Sequence, residues 1–129
     1  MTRHLAIFKV DDALKIFSGK RKIEGRFSQI KIPPFGKVSA GDSVYVKTPG
    51  EKISGQFIVD RVFYFDHPNK EELASIKKKY ASSLALSTTF WLDREKVKYL
   101  TLMFIKSVTK FIIAPQIKKK DLRPWVVLG

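Results

Sequence analysis

The apolar side chains divide the chain into short segments of two different periods. His4 to Lys9 reads as a strand centred on Leu5 to Phe8. Asp11 or Asp12 then caps a helix whose apolar positions Ala13, Leu14, Ile16 and Phe17 make one wide face, closed by Gly19 at the C′ position. From Lys22 to Ser28 the period falls to two. Ile23 and Phe27 point one way, and Lys22, Glu24, Arg26 and Ser28 the other. Pro33, Pro34 and Gly36 punctuate a loop, and Gly41-Asp42 turns the chain into a strand from Ser43 to Lys47. Thr48-Pro49-Gly50 is a further turn, and Gly55 to Phe65 is a long strand dense in Phe, Val, Ile and Tyr.

Asn69, with Glu72 three residues on, predicts a capping box opening a helix that runs to about Tyr80, with Leu73, Ile76 and Tyr80 inward. Ala81 to Asp93 carries no clear period. Strands follow at Tyr99–Ile105, Phe111–Ala114 and Trp125–Leu128. About six strands and two or more short helices, mixed in order rather than alternating, predict an α+β fold built on a small barrel-like sheet rather than a doubly wound one. With no repeat, low-complexity stretch or linker, residues 1–129 read as a single domain. At that length about two-thirds of the unfolded surface can be buried.

Charge changes the picture more than composition does. Lys and Arg number 25 against 12 Asp and Glu, a formal net charge of +13 spread evenly along the chain, and this points to a polyanionic partner. Two lysine runs concentrate it: Lys77-Lys78-Lys79 in the expected second helix and Lys118-Lys119-Lys120 in an expected loop. Either run alone reads as a solvated face; together with the total charge they favour nucleic acid. With no cysteine, disulfides and thiolate chemistry are excluded. Leu5 to Phe8 is too short for a signal peptide, and Tyr99 to Ile105 is far short of the roughly 20 residues of a membrane span, so the expectation is a cytoplasmic protein without a membrane partner.

Motifs for catalysis are mostly missing. His4 and His67 stand alone, so no metal site is expected. Gly50 to Gly55 has the glycine spacing of a phosphate-binding loop, but Gln56-Phe57 stand where Lys and Ser/Thr are needed, and no cofactor is expected. One constellation remains, Gly19-Lys20-Arg21-Lys22-Ile23-Glu24-Gly25-Arg26. Its carboxylate lies between cations, which favours the charged, oriented form, and its arginines can grip a phosphate or carbonyl as a fork. Read as pattern alone, it is a charge ladder on an exposed strand, each pair contributing about 0–1 kcal/mol. Phe35, Phe90, Trp91 and Trp125 are the aromatics on which an unstacked base could lie, although Trp125 beside Val126-Val127 reads first as core.

That constellation resembles the signature of the ASCH domain family of the PUA-like superfamily, GxKxxExR, with Gly19, Glu24 and Arg26 on its glycine, glutamate and arginine. Val38-Ser39-Ala40-Gly41-Asp42 is similar to the family's V-x-x-G-D turn. The resemblance implies a PUA-like β-barrel with a cleft for RNA or a modified nucleoside. It would be lined by Gly19, Lys20, Arg21, Lys22, Glu24 and Arg26, with Trp91 and the two lysine runs as further contacts. Small bacterial relatives hydrolyse N4-acetylcytidine with a lysine at the position held here by Arg21, and a guanidinium stays protonated. Binding is therefore the first reading. The second is a hydrolase of the same ligand class, an N4-acylcytidine amidohydrolase or a ribonuclease, with Glu24 as base and Arg26 and a neighbouring lysine, Lys20 or Lys22, stabilising the anionic transition state. The third is a basic protein-interaction domain.

Overall fold

The computed structural model describes residues 1–92, 96–117 and 123–129. Its elements in chain order are β1 (Arg3–Ile7), α1 (Val10–Phe17), β2 (Ile23–Ser28), β3 (Ser43–Lys47), β4 (Ile53–Asp66), α2 (Lys70–Leu84), α3 (Thr88–Leu92), β5 (Tyr99–Lys110) and β6 (Trp125–Val127). The six strands form one sheet in the order β2-β5-β4-β3-β1-β6. Only the β1–β3 pair is parallel; every other pairing is antiparallel.

The sheet curls on itself. Along β5, Met103 faces the concave side, where Ala6, Phe8, Ile16, Val44, Val46, Phe57, Val59 and Trp125 form the main core. Leu100 and Leu102 face the convex side, where α2 and α3 cover them with Ile76, Leu84, Leu73, Tyr80 and Trp91. Each fully buried Leu, Ile or Phe stabilises the fold by about 1.5–3 kcal/mol, which is ample reason for the apolar positions to dictate the register. β4 keeps both sides satisfied with a bulge between Val59 and Arg61. Before it Phe57 and Val59 enter the concave core; after it Val62 does so, and Phe65 turns to the helices.

Several expectations need correction. Neither Asp11 nor Asp12 caps α1: the helix starts at Val10, its N-cap is Lys9, and both aspartates lie in the first turn, where they offset the helix dipole. Leu14 is 56% exposed, so the buried stripe narrows to Ala13 and Ile16 with Phe17 partly covered. Phe111–Ala114 is not a strand. Instead β5 continues through a positive φ at Ser107 to Lys110, five residues beyond its expected end at Ile105. α2 does begin with the Asn69–Glu72 capping box, but it runs past Tyr80 to Leu84, and the segment without a clear period resolves into the end of α2 and α3. Among the described residues no helix is long and apolar enough to cross a membrane.

Gly55 marks the closest approach in the sheet. A Cβ there would collide with the Thr109 carbonyl oxygen and the Phe17 ring. Gly55→Ala is therefore expected to cost about 1–3 kcal/mol by overpacking, read as a lowered urea midpoint with an unchanged slope.

Candidate functional site

β2 and β6 are the two ends of the sheet order, yet the curl brings them face to face. Arg26, on β2, bridges the gap. Its Nη2 donates to the Ile7 carbonyl at 3.0 Å, and its guanidinium carbon sits 4.7 Å from the centre of the Phe8 ring and 5.2 Å from that of Trp125. The half-barrel therefore has a seam between β2 and the β1/β6 edge, and Arg26 crosses it.

Glu24 holds that arginine in place. Two positions apart on β2, the pair shares the concave face, with Glu24 opposite Met103 and Arg26 opposite Thr101. Glu24 Oε2 accepts from Arg26 Nε at 3.1 Å and Oε1 from Arg21 Nη1 at 3.1 Å. Glu24 is 4% exposed, so it and Arg26 are not rungs of a solvated ladder but part of the inner wall of the curl, while Lys22 stays exposed. Burial pushes the Glu24 carboxyl above its ordinary value; the charges of Arg26 and Arg21 pull against the shift, and Asp12 adds to it.

Arg21 explains why this chain has a guanidinium where the motif has lysine. It is 3% exposed and uses its whole fork. Nη2 donates to Asp12 Oδ1 at 2.8 Å, Nη1 to Glu24, and Nε to the Leu84 carbonyl at 2.9 Å. Leu84 ends α2, whose last turn holds no basic residue of its own. Arg21, with Lys15 Nζ on the Ala85 carbonyl at 2.8 Å, supplies the positive charge this helix end requires. An ammonium has three donors but no planar fork and cannot reproduce this arrangement.

A second network supports the bridge from below. His4 is fully buried, and its Nδ1 lies 3.1 Å from Trp125 Nε1. Indole N–H can only donate, so Nδ1 accepts and the ring proton sits on Nε2, which donates to Asp42 Oδ2 at 2.9 Å. Asp42 also accepts from the Thr2 and Ser39 amides, each at 3.0 Å. The Gly41-Asp42 turn thus fixes His4, His4 fixes Trp125, and Trp125 floors Arg26. Burial alone would raise the Asp42 carboxyl, but the hydrogen bonds from His4, Thr2 and Ser39 outweigh it and hold the group below its usual value.

Two cavities open along the seam, one on each side of Arg26. The larger, about 480 Å³, is lined by Phe8, Lys9, Asp12, Lys15, Arg21, Glu24, Arg26, Phe27 and Phe90 among others. The smaller, about 140 Å³, is lined by Arg26, Phe27, Ser28, Phe35, Tyr99, Thr101 and Trp125 together with the Ile32–Pro34 loop. Of the residues singled out from sequence, Arg21, Glu24 and Arg26 meet in the larger cavity. Gly19 lies at the exposed end of α1 with φ +81°, and Lys20 and Lys22 are exposed and line neither cavity. Trp91 is half-buried, edge-on to Phe27 and Phe90, with Lys77 Nζ 5.9 Å from its ring centre. Lys78 and Lys79 are exposed on α2; Lys118, Lys119 and Lys120 lie outside the described residues. Lys9 and Lys15 were missed as lining residues, since nothing in the spacing of α1 shows which face meets β2. No group of three or more His, Cys, Asp or Glu that could hold a metal ion occurs among the described residues.

The fold has counterparts of known structure. A tyrosine-to-phenylalanine variant of the ASCH protein from Zymomonas mobilis superposes with a TM-score of 0.71 at 15% identity, over 100% of this chain and 91% of that one. The crystal structure of ASCH from Zymomonas mobilis gives 0.65 at 14% identity, over 84% and 69%. A hypothetical protein, PH0355, gives 0.53 at 16% identity, over 79% and 95%. No family model and no curated protein sequence matches the chain. At these identities the likeness establishes the fold alone: a curled α+β half-barrel like that of the ASCH structures, in line with the fold the motif resemblance implied.

Two outcomes test the geometry. Arg21→Ala leaves Glu24 buried beside a lost partner and uncaps α2, so it is expected to cost about 3–5 kcal/mol, and Arg21→Lys is expected to recover only part of that in urea unfolding. For Asp42 the depressed carboxyl adds stability that is present in full above the usual aspartate range and is lost as pH falls through the lower, folded value. Asp42→Asn is therefore expected to be less stable at neutral pH and to show a flatter acid limb when the urea midpoint is followed from pH 6 to pH 2.

Proposed function

We propose, taking the ASCH fold and its bridged seam as the premise, that this protein binds single-stranded RNA or a modified nucleoside in the cleft beside Arg26. The observation that carries the reading is the company Arg26 keeps. A partly exposed guanidinium, aimed by Glu24 and the Ile7 carbonyl, stands between cavities walled by Phe8, Phe27 and Phe90 on one side and by Phe35, Tyr99 and Trp125 on the other. Unpaired bases need a flat apolar wall and a cation for the adjoining phosphate, and this cleft offers both. Its volume falls in the range of small-ligand sites. Lys77, Lys78 and Lys79, with Lys118, Lys119 and Lys120, would add phosphate contacts of the unspecific kind, in keeping with a net charge of +13.

Hydrolysis stands second. A general base needs a lone pair open to the substrate, and each oxygen of Glu24 already accepts from a guanidinium. Lys20 and Lys22 line neither cavity, whereas Lys15 lines the larger one. Turnover of an N4-acylcytidine or of RNA that vanishes in Glu24→Gln while the fold survives would promote this reading above binding.

The test is fluorescence anisotropy of a short single-stranded RNA at several salt concentrations, with wild type and Arg26→Ala, circular dichroism checking the fold of each. If about six phosphates are neutralised, the slope of log K against log salt is expected near −4. Loss in Arg26→Ala well beyond one phosphate's worth supports the cleft. Equal binding by both proteins assigns RNA to the lysine runs alone, and binding by neither removes the RNA form of the reading.

A further inference from the structure

The smaller cavity contains a feature that the fold itself does not use. Thr101 is 1% exposed and lies on the concave face between Arg26 on β2 and Tyr64 on β4, yet its hydroxyl makes no hydrogen bond among the described residues. Its neighbour Tyr64 is fully engaged, accepting from the Val38 amide at 2.7 Å and donating to the Val38 carbonyl at 2.5 Å. A buried hydroxyl without a partner is costly, and native structures rarely keep one without a use. Thr101 lines a pocket that it shares with four aromatic rings, Phe27, Phe35, Tyr99 and Trp125, with Phe35 edge-on to Tyr99 at 5.0 Å between ring centres. A flat heterocycle that stacks on such walls and offers an edge to one hydroxyl is a nucleobase.

The two cavities share Arg26 and Phe27 as their common wall. The larger is lined by charged groups, Lys9, Lys15, Asp12 and Glu24; the smaller, at about 140 Å³, has room for a base but not for a nucleoside with its phosphate. Of the Arg26 fork, Nε is committed to Glu24 and Nη2 to Ile7, which leaves Nη1 to face a ligand at the junction.

We propose that the Thr101 pocket is a second base subsite, so that the smallest ligand bound fully is an RNA dinucleotide, one base in each cavity and the linking phosphate at Arg26. This rests on the cleft binding RNA, and it separates an RNA segment from a free nucleoside as the ligand class.

Isothermal titration with cytidine 5′-monophosphate and with the dinucleotides CpA and CpU tests it, using wild type, Thr101→Val, Phe35→Ala and Arg26→Ala. Wild type is expected to prefer at least one dinucleotide over the mononucleotide by tenfold or more. Thr101→Val is expected to erase most of that preference while leaving the mononucleotide affinity unchanged, and Phe35→Ala to lower dinucleotide affinity at least as far. Because Thr101→Val removes an unpaired hydroxyl, its melting temperature should equal or exceed that of wild type, so loss of binding cannot be laid to unfolding; a clear fall would show that the hydroxyl serves the fold and would overturn the proposal. Equal affinity for mononucleotide and dinucleotides, both lost in Arg26→Ala, overturns the second subsite and leaves the cleft reading intact. Binding of none of the three by wild type overturns both.

Discussion

The fold depends on a carboxylate shared between two guanidiniums. Glu24 holds Arg21 with one oxygen and Arg26 with the other, and the two arginines reach in different directions: Arg21 to the C-terminal end of α2, Arg26 across the seam to β1 and the Trp125 ring. Three charges within one short motif thereby tie the convex helix layer to the concave core and join the two ends of the sheet. Buried ion pairs of this kind are a weak source of net stability, because removing their charges from water is costly. Their value lies in geometry: an open curled sheet could settle at several widths of seam, and a fork of fixed length permits one.

The same geometry forms the site. A seam closed by backbone pairing would have no cleft, and one left unbridged would collapse or splay. Bridged by Arg26, it leaves a cavity on each side of the bridge, and the bridging group is itself a cation suited to phosphate. The Gly41-Asp42 turn belongs to this arrangement although it touches neither cavity, because it positions Trp125 through His4.

Much of this was legible in the residues, for identifiable reasons. The capping box at Asn69, the parity of β2 and the turn at Gly41 are local patterns, so local reading finds them. Mistakes arose where distant partners decide. Glu24 and Arg26 look like a surface ladder because alternation reports two faces but not which of them is wet. Asp12 looks like a cap because its real partner, Arg21, lies across a turn. The end of β5 was misplaced because a positive φ at Ser107 lets the strand continue where its pattern changes. Arg21 could be flagged as a departure from the motif, but its reason, the uncapped end of α2, exists only once α2 has docked.

The sheet also has an order of assembly written into its pairing. β1 is flanked by β3 on one side and β6 on the other, and the Arg3 amide and carbonyl meet Gly129 and Leu128 in the folded chain. On a ribosome, β1 emerges before β6 and cannot acquire its second neighbour until the residues of β6 have cleared the exit tunnel. Until then Arg26 lacks its indole floor, and the hydrophobic faces of Phe8 and Met103 stay uncovered on that side. The cleft is thus completed only after β6 has been made, and the growing chain cannot engage a ligand there before β6 has paired with β1.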